Sequence, residues 1–170
     1  GLLSLWDATN IYQGLTELIK WLQILVVVVI VFNYCVHEDK EKWVIGFVIA
    51  SGFLQALIGL WQFVIRGTGP VSFELASGFF RAYGTFEQPN PFGGFMGILW
   101  PIALGVLWAL LQNRAPQQIK YSYITMIVIT LIATVLLVCA LIASYSRGAL
   151  IVSIVAFLVM LFFFSSRPFI

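Results

Sequence analysis

Apolar residues fill most of this chain in long blocks, and short polar segments separate the blocks. A helix needs about 20 predominantly apolar residues to cross a bilayer. Five blocks reach or approach that length, so we expect an all-α fold, a polytopic transmembrane helical bundle in one domain over residues 1–170. The predicted spans are 16–36, 43–65, 91–111, 121–143 and 148–164, with a longer loop at 66–90.

Small residues that recur every three or four positions predict where two of these helices pack closely, because backbones approach where side chains are small. Such stripes lie on the third span, at Gly93, Gly97, Pro101 and Gly105, and on the second, at Gly52, Ala56 and Gly59. Pro101 has no backbone N–H and is expected to kink the third helix near its middle.

Composition agrees with a membrane protein, since 61% of the residues are hydrophobic and 9% are charged, whereas about 25% are charged in soluble domains. The net charge of +2 is too small to indicate a nucleic-acid partner. We expect no metal or cofactor, because no pair of His, Cys or carboxylate residues has metal-ligand spacing and no Walker A motif occurs. The chain opens with GLLSLW, without an initiator Met, so we expect it to be part of a longer protein.

Lys and Arg in the short loops predict the orientation, since positively charged loops stay in the cytoplasm. Segments 37–42 and 112–120 and the C-terminal end carry five of these residues, against four on the opposite side. The difference grows if Arg81 and Arg147 serve to bind a ligand, because only two Lys or Arg residues on the opposite side then count as orientation signals. We expect 37–42 and 112–120 in the cytoplasm, and Arg81 and Arg147 at the outer face.

The polar segment RAYGTFEQPNPFGG begins at Arg81 and leads into the third span. Asn90 is a favoured helix N-cap and Pro91 suits the first helical position. Gly93 and Gly94 would leave the backbone N–H groups of the first turn unshielded by side chains. A helix N-terminus carries the positive end of the helix dipole, so a nearby Arg predicts a site for an anionic, phosphorylated ligand.

The segment SYSRGAL repeats this arrangement at the start of the fifth span, with Ser144 or Ser146 as the expected N-cap. Arg147 in a first helical turn opposes the dipole, so helix stability does not explain it. The apolar run that follows, residues 149–164, has only 16 residues and so tends to draw Arg147 toward the membrane, where an Arg usually faces a polar cavity or a partner. Two plainer interpretations stay open: Arg147 as a membrane anchor and Arg81 as an ordinary loop cation. Glu87 is either an ion-pair partner of Arg81 or a solvated loop residue.

With these two segments the chain resembles the O-antigen ligase and polymerase superfamily of bacterial envelope membrane proteins. The matching stretches are RAYGTFEQPNPFGGFMGILWPIALG at 81–105 and ASYSRGALIVSIVAFLVMLFF at 143–163. In that family an R-x-x-G-T-F-x-x-P-N segment opens a transmembrane helix, and an S-x-S-R-G-A segment follows one or two spans later. The spacing in this chain fits that order.

The resemblance implies a glycosyltransferase of the bacterial inner membrane, which moves a glycan from undecaprenyl diphosphate to an acceptor at the outer, periplasmic face. The acceptor in such enzymes is lipid A-core, another glycan or a protein. Transfer would be inverting and metal-independent, with the diphosphate held by two catalytic arginines, Arg81 and Arg147. The residues expected to shape the substrate site are Tyr83, Gly84, Asn90, Gly94 and Ser146.

One departure from the family limits this expectation. The family's general base is assigned to a His in a large periplasmic loop, and no residue of this chain matches it. We therefore expect this part alone to be inactive. Two other function classes stay open: a protein that transports a small anion such as bicarbonate, with the arginines along its path, and a structural membrane subunit with anchor arginines.

Overall fold

The structure, a computed structural model, describes residues 11–38, 40–75, 78–112 and 120–165, and most of these residues form helices. The helices are α1 Ile11–Glu38, α2 Glu41–Trp61, α3 Pro89–Gln112, α4 Lys120–Ala143 and α5 Arg147–Ser165. The first four are long and apolar enough to cross a membrane, and α5 contains a shorter apolar stretch, Arg147–Phe162. The predicted all-α transmembrane bundle is confirmed, and by helix length and composition the chain is a multi-pass membrane protein.

The helix ends differ from the predicted spans by a few residues, and two of these differences lie next to the loop that precedes α3. A single turn of π-helix, Gln62–Arg66, extends α2 and ends at Gly67, whose φ is 57°. Helix α3 begins at Pro89, two residues before the predicted start. Residues 1–10 and 113–119 and Arg167, which entered the sequence-based predictions, lie outside the described residues.

The chain divides into two compact units, Gly1–Phe47 and Val48–Ile170. In the second unit α3 lies centrally and packs along both α4 and α5. Its buried core combines small residues with a few large apolar ones, as expected where helices approach closely. The core includes Ala56, Phe92, Met96, Leu99, Ala103, Leu137, Ala140 and Leu141.

The predicted stripe on α2 packs against α3 and α4. A Cβ added at Gly52 would collide with the Leu99 side chain and come within 3.0 Å of Leu137. A Cβ added at Gly59 would run into the Phe92 ring. Each glycine therefore leaves room for one large side chain of α3, and this part of the packing prediction is confirmed.

The predicted stripe on α3 packs closely along only part of its length. A Cβ at Gly93 would lie 2.6 Å from the Ser144 Oγ, and one at Gly97 would make ordinary contact with α5. Apart from its chain neighbours and the nearby backbone of α3 itself, no atom of the described residues lies within 4 Å of a Cβ placed at Gly105, so the close neighbour predicted there is not found among these residues. Helix α3 continues as an α-helix through Pro101.

Candidate functional site

The loop between α2 and α3 carries Arg81 to one end of the second unit. A 3-10 turn, Val71–Phe73, and an isolated antiparallel bridge between Glu74 and Phe80 fold the loop back on itself. The Arg81 N–H then donates to the Phe73 carbonyl at 2.9 Å, and the next N–H donates to the Ala143 carbonyl at 2.9 Å. The backbone on both sides of Arg81 is therefore fixed before its side chain makes any contact.

The Arg81 guanidinium joins three separate segments. Its Nε donates to the Ser144 carbonyl at 2.8 Å, and its Nη2 donates to the Asn90 Oδ1 at 2.9 Å and the Tyr145 carbonyl at 3.3 Å. A cation is stabilised beside the carbonyl end of a helix, which is where Ser144 and Tyr145 lie relative to α4. The prediction that Arg81 folds back over the start of α3 is confirmed, and Arg81 is not merely a solvated loop cation.

Two glutamines of the α2 segment hold the loop from the other side. The buried Gln62 donates to the Gly84 carbonyl at 2.9 Å and accepts from the N–H groups of Gly84 at 2.8 Å and Tyr83 at 3.2 Å. Two turns earlier, Gln55 donates to the Thr85 Oγ1 at 2.7 Å and accepts from the Thr85 N–H at 3.1 Å. Both side-chain amides therefore bond to one turn of the loop, and the buried Gln62 amide finds there the partners that a buried polar group requires.

Sequence reasoning missed these glutamines, although a signal was present. Polar side chains are rare inside an apolar span and usually face the bundle interior, and Gln55 and Gln62 are seven residues apart on one helix face. Tyr83 and Gly84, expected at the substrate site, lie here instead. The Tyr83 hydroxyl accepts from the Arg66 Nη1 at 3.2 Å, and Gly84 has a φ of 57° with no room for a Cβ.

The start of α3 offers fewer anion-binding groups than expected. The first three helical residues are the ones whose N–H groups have no acceptor within the helix, and here they are Pro89, Asn90 and Pro91. Only Asn90 has an N–H, because proline has none. Asn90 is therefore not the N-cap, and its side chain accepts from Arg81 instead. Gly93 and Gly94 are the fifth and sixth residues, beyond the unsatisfied first turn.

The start of α5 retains the N–H groups that α3 lacks. The Leu150 N–H donates to the Ser146 carbonyl at 3.0 Å, which makes Ser146 the N-cap, one of the two predicted. Ser144 instead braces the turn: its Oγ donates to the Leu141 carbonyl at 2.6 Å and accepts from the Ser146 N–H at 3.2 Å. Within the described part of the chain, no acceptor faces the N–H groups of residues 147–149. A helix start of this kind attracts an anion.

The Arg147 side chain differs from that of Arg81 in its contacts. Among the described residues, the Arg147 guanidinium makes no hydrogen bond or ion pair, and the residue is exposed at the first position of α5. Glu87, considered as an ion-pair partner of Arg81, is exposed, has a φ of 60°, and forms no ion pair with the residues that the structure describes. The two arginines thus differ in kind, one bound into the fold and one available.

A cavity of about 1090 Å³ brings most of the predicted site residues together. Arg81, Asn90, Gly94, Ser146 and Arg147 line it, as does Tyr145, whereas Tyr83 and Gly84 are not among its lining residues. No carboxylate belongs to the described lining, so two guanidinium groups and the α5 N-terminus give this end of the cavity a positive potential. Gly94 faces open space, since apart from its chain neighbours and the nearby backbone of α3 no atom of the described residues would lie within 4 Å of a Cβ added to it.

The same cavity continues between α3 and α5 as an apolar groove. Its lining there includes one polar residue, Ser153, whose hydroxyl donates to the Leu150 carbonyl. The other lining residues are Gly97, Ile98, Pro101, Ile102, Ala149, Val152 and Ala156. The side chains of Ile98 and Val152 are 66% and 67% exposed, so the groove opens sideways onto the surface that lipid would cover. A single cavity therefore joins a cationic end to an apolar channel.

Comparisons of the chain with protein-family models, with curated proteins and with solved structures found no match.

Proposed function

We propose that this chain provides the donor site of a membrane glycosyltransferase that takes a glycan from undecaprenyl diphosphate, as O-antigen ligases and polymerases do. The observation that carries the proposal is the two-part cavity. A polyprenyl diphosphate has a doubly anionic head and a long apolar tail, and the cavity offers a cationic end and an apolar groove in that order. Binding of a small anion would not require the apolar groove.

The dimensions of the groove fit a lipid tail within one leaflet. From Arg147 to Ala156 helix α5 rises about 13 Å at 1.5 Å per residue, and half of a hydrocarbon core is about 15 Å thick. The tail would enter sideways past Ile98 and Val152, which border the groove on its exposed side. The head would stop at the start of α5, where the unsatisfied N–H groups lie.

The chemistry assigned to this site is stabilisation of the leaving group. During transfer, the bond between the sugar's anomeric carbon and the diphosphate oxygen breaks, and the diphosphate keeps the electron pair. A bond from the acceptor oxygen to the same carbon forms as the acceptor loses its proton to a base. Arg147 and the N–H groups of α5 would stabilise the charge that develops on the diphosphate. Arg81 would contribute its charge and hold the α4–α5 turn in place.

In this proposal the cavity lies at the outer face of the bacterial inner membrane, where lipid-linked glycans are consumed. The acceptor is lipid A-core, a glycan or a protein. The lysine and arginine distribution supports that orientation, because segments 37–42 and 112–120 then lie in the cytoplasm.

The test is binding of undecaprenyl diphosphate to the purified protein in lipid nanodiscs, with the uncharged undecaprenol as the matched ligand. We expect the diphosphate to bind more tightly than the alcohol, and Arg147→Ala to weaken diphosphate binding by about 10- to 100-fold, the value of a charged hydrogen bond. Binding of undecaprenol should not change. Arg66→Ala, which removes an arginine outside the cavity, serves as the control.

Two results would reject the proposal. One is equal affinity of the wild-type protein for the diphosphate and the alcohol. The other is unchanged diphosphate binding by Arg147→Ala in a protein that unfolds at the wild-type temperature. Saturable bicarbonate binding that Arg147→Ala abolishes, without any binding of the lipid, would favour the transport function instead.

A further inference from the structure

Three aromatic side chains pack together near the cationic end of the cavity, and one of them, Tyr145, lines it. The rings of Phe63 and Phe79 are stacked, with centroids 5.7 Å apart and planes 25° apart. The second aromatic neighbour of Phe63 is Tyr145, at a centroid distance of 6.2 Å and an interplanar angle of 31°. Phe79 and Tyr145 are each 50% exposed. We call Phe79, Phe63 and Tyr145 the aromatic row.

Tyr145 has a backbone conformation that is unfavourable for a tyrosine. Its φ is 49°, in the left-handed region that glycine or asparagine enters at little cost and a bulky side chain enters at a greater one. The turn keeps this conformation through the Tyr145 N–H, which donates to the Ile142 carbonyl at 3.0 Å, and through the Tyr145 carbonyl, which accepts from Arg81. Strain of this kind at a cavity wall points to a role for the side chain itself.

The side chain has free capacity for a ligand. Within the described part of the chain the Tyr145 hydroxyl makes no hydrogen bond, and the residue is half exposed and lines the cavity. An aromatic anchor at a membrane surface needs no strained backbone. The left-handed turn therefore separates Tyr145 from an ordinary interfacial tyrosine.

We infer that the aromatic row is a sugar-binding platform, on which the first sugar of the lipid-linked donor packs against the Tyr145 ring. This inference rests on the proposed function. The tail leaves the cationic end along the α3–α5 groove, so the sugar extends from the opposite side of the diphosphate, where Tyr145 lies two residues before Arg147. The C–H face of a pyranose packs on an aromatic ring, and the free hydroxyl is placed to bond a sugar oxygen.

The experiment compares two ligands, undecaprenyl diphosphate with and without a single N-acetylhexosamine, binding to the purified protein in lipid nanodiscs. The informative variant is Tyr145→Asn, because asparagine accepts the left-handed backbone while removing the ring. Wild-type protein should bind the sugar-bearing lipid more tightly by roughly two- to tenfold. Tyr145→Asn should bind both lipids equally, and Tyr145→Phe should keep most of the preference. Tyr121→Ala removes an exposed tyrosine at the start of α4 and serves as the control.

The outcomes separate the inference from the function on which it rests. If the wild-type protein binds neither lipid, the proposed function fails and this inference fails with it. If the wild-type protein binds both lipids equally, or if Tyr145→Asn weakens both to the same extent, the sugar platform is wrong and the diphosphate site stands. A preference for the sugar that Tyr145→Asn preserves also overturns the platform.

Discussion

Adjacent glycines in α3 should respond to alanine in opposite ways. At Gly93 the new Cβ would lie 2.6 Å from the Ser144 Oγ and 2.9 Å from the Ser146 Cβ. Ser144 cannot move aside easily, because it is fully buried and its hydroxyl is engaged by both Leu141 and Ser146. At Gly94 the new Cβ would have no described atom within 4 Å apart from its chain neighbours and the nearby backbone of α3. The two substitutions add the same methyl group to one helix and differ only in the space around it.

The expected magnitudes follow from those distances. Overpacking at Gly93 costs about 1–3 kcal/mol of folding free energy, partly offset by the roughly 1 kcal/mol that alanine gains over glycine within a helix. Gly94→Ala should gain the stability that alanine gives over glycine within a helix, without a steric clash. The two variants should therefore differ by about 1–3 kcal/mol in stability, or about 2–12 °C in unfolding temperature for a chain of this size.

The assay is thermal unfolding of the purified variants in one detergent, followed by circular dichroism, together with binding of undecaprenyl diphosphate. Gly93→Ala should lower the unfolding temperature. Gly94→Ala should not lower the unfolding temperature. It should weaken the binding of undecaprenyl diphosphate, because Gly94 lines the cavity and the added methyl group would occupy that space. If Gly94→Ala destabilises the protein as much as Gly93→Ala, the close packing of α3 against the α4–α5 turn is wrong.

Four further substitutions test other parts of the structure. Gln62→Leu should destabilise the protein by about 1–3 kcal/mol, since it leaves buried backbone groups of the loop without partners. Gln55→Leu should destabilise it less, because Gln55 lies nearer the surface. Equal effects of the two substitutions on thermal unfolding would contradict the buried position of Gln62. Arg81→Lys should lower the unfolding temperature because one ammonium group cannot reach all three of the acceptors of the guanidinium, whereas unchanged stability would show that those bonds matter little. Ser72→Cys, in a background without native cysteines, should react with a membrane-impermeant maleimide on intact cells, and reaction only after permeabilisation would reverse the proposed orientation.

Sequence alone predicted the helices well because bilayer length and apolarity are local properties of the chain. The start of α3 was misplaced because two prolines, Pro89 and Pro91, both suit the first helical position. The loop residue Glu87, with its positive φ, lies just before the earlier proline, and the helix begins there. A single sequence does not distinguish between the two starts, since the difference depends on how the preceding turn docks.

The site was predicted in part, and the division has a physical reason. Arg81, Asn90, Gly94, Ser146 and Arg147 stand out in sequence because charges and helix-start residues are conspicuous among apolar residues, and the structure places them at one cavity. Their distinct contacts were not predictable. Whether a guanidinium is engaged by carbonyl groups or left available depends on pairings across 63 or 64 residues of chain. The glutamine contacts with the loop are long-range pairings of the same kind.

The long sequence separation of the Arg81 bonds also bears on how the protein is made. Arg81 precedes Ser144 by 63 residues, and a ribosome adding 5–20 residues per second needs roughly 3 to 13 seconds to synthesise that stretch. When residue 81 joins the growing chain, the carbonyl groups that engage its guanidinium in the finished fold have not yet been synthesised. The loop can acquire its final conformation only after α4 has been inserted and the chain has turned toward α5. The cavity can therefore be complete only after α4 and α5 have been synthesised and inserted.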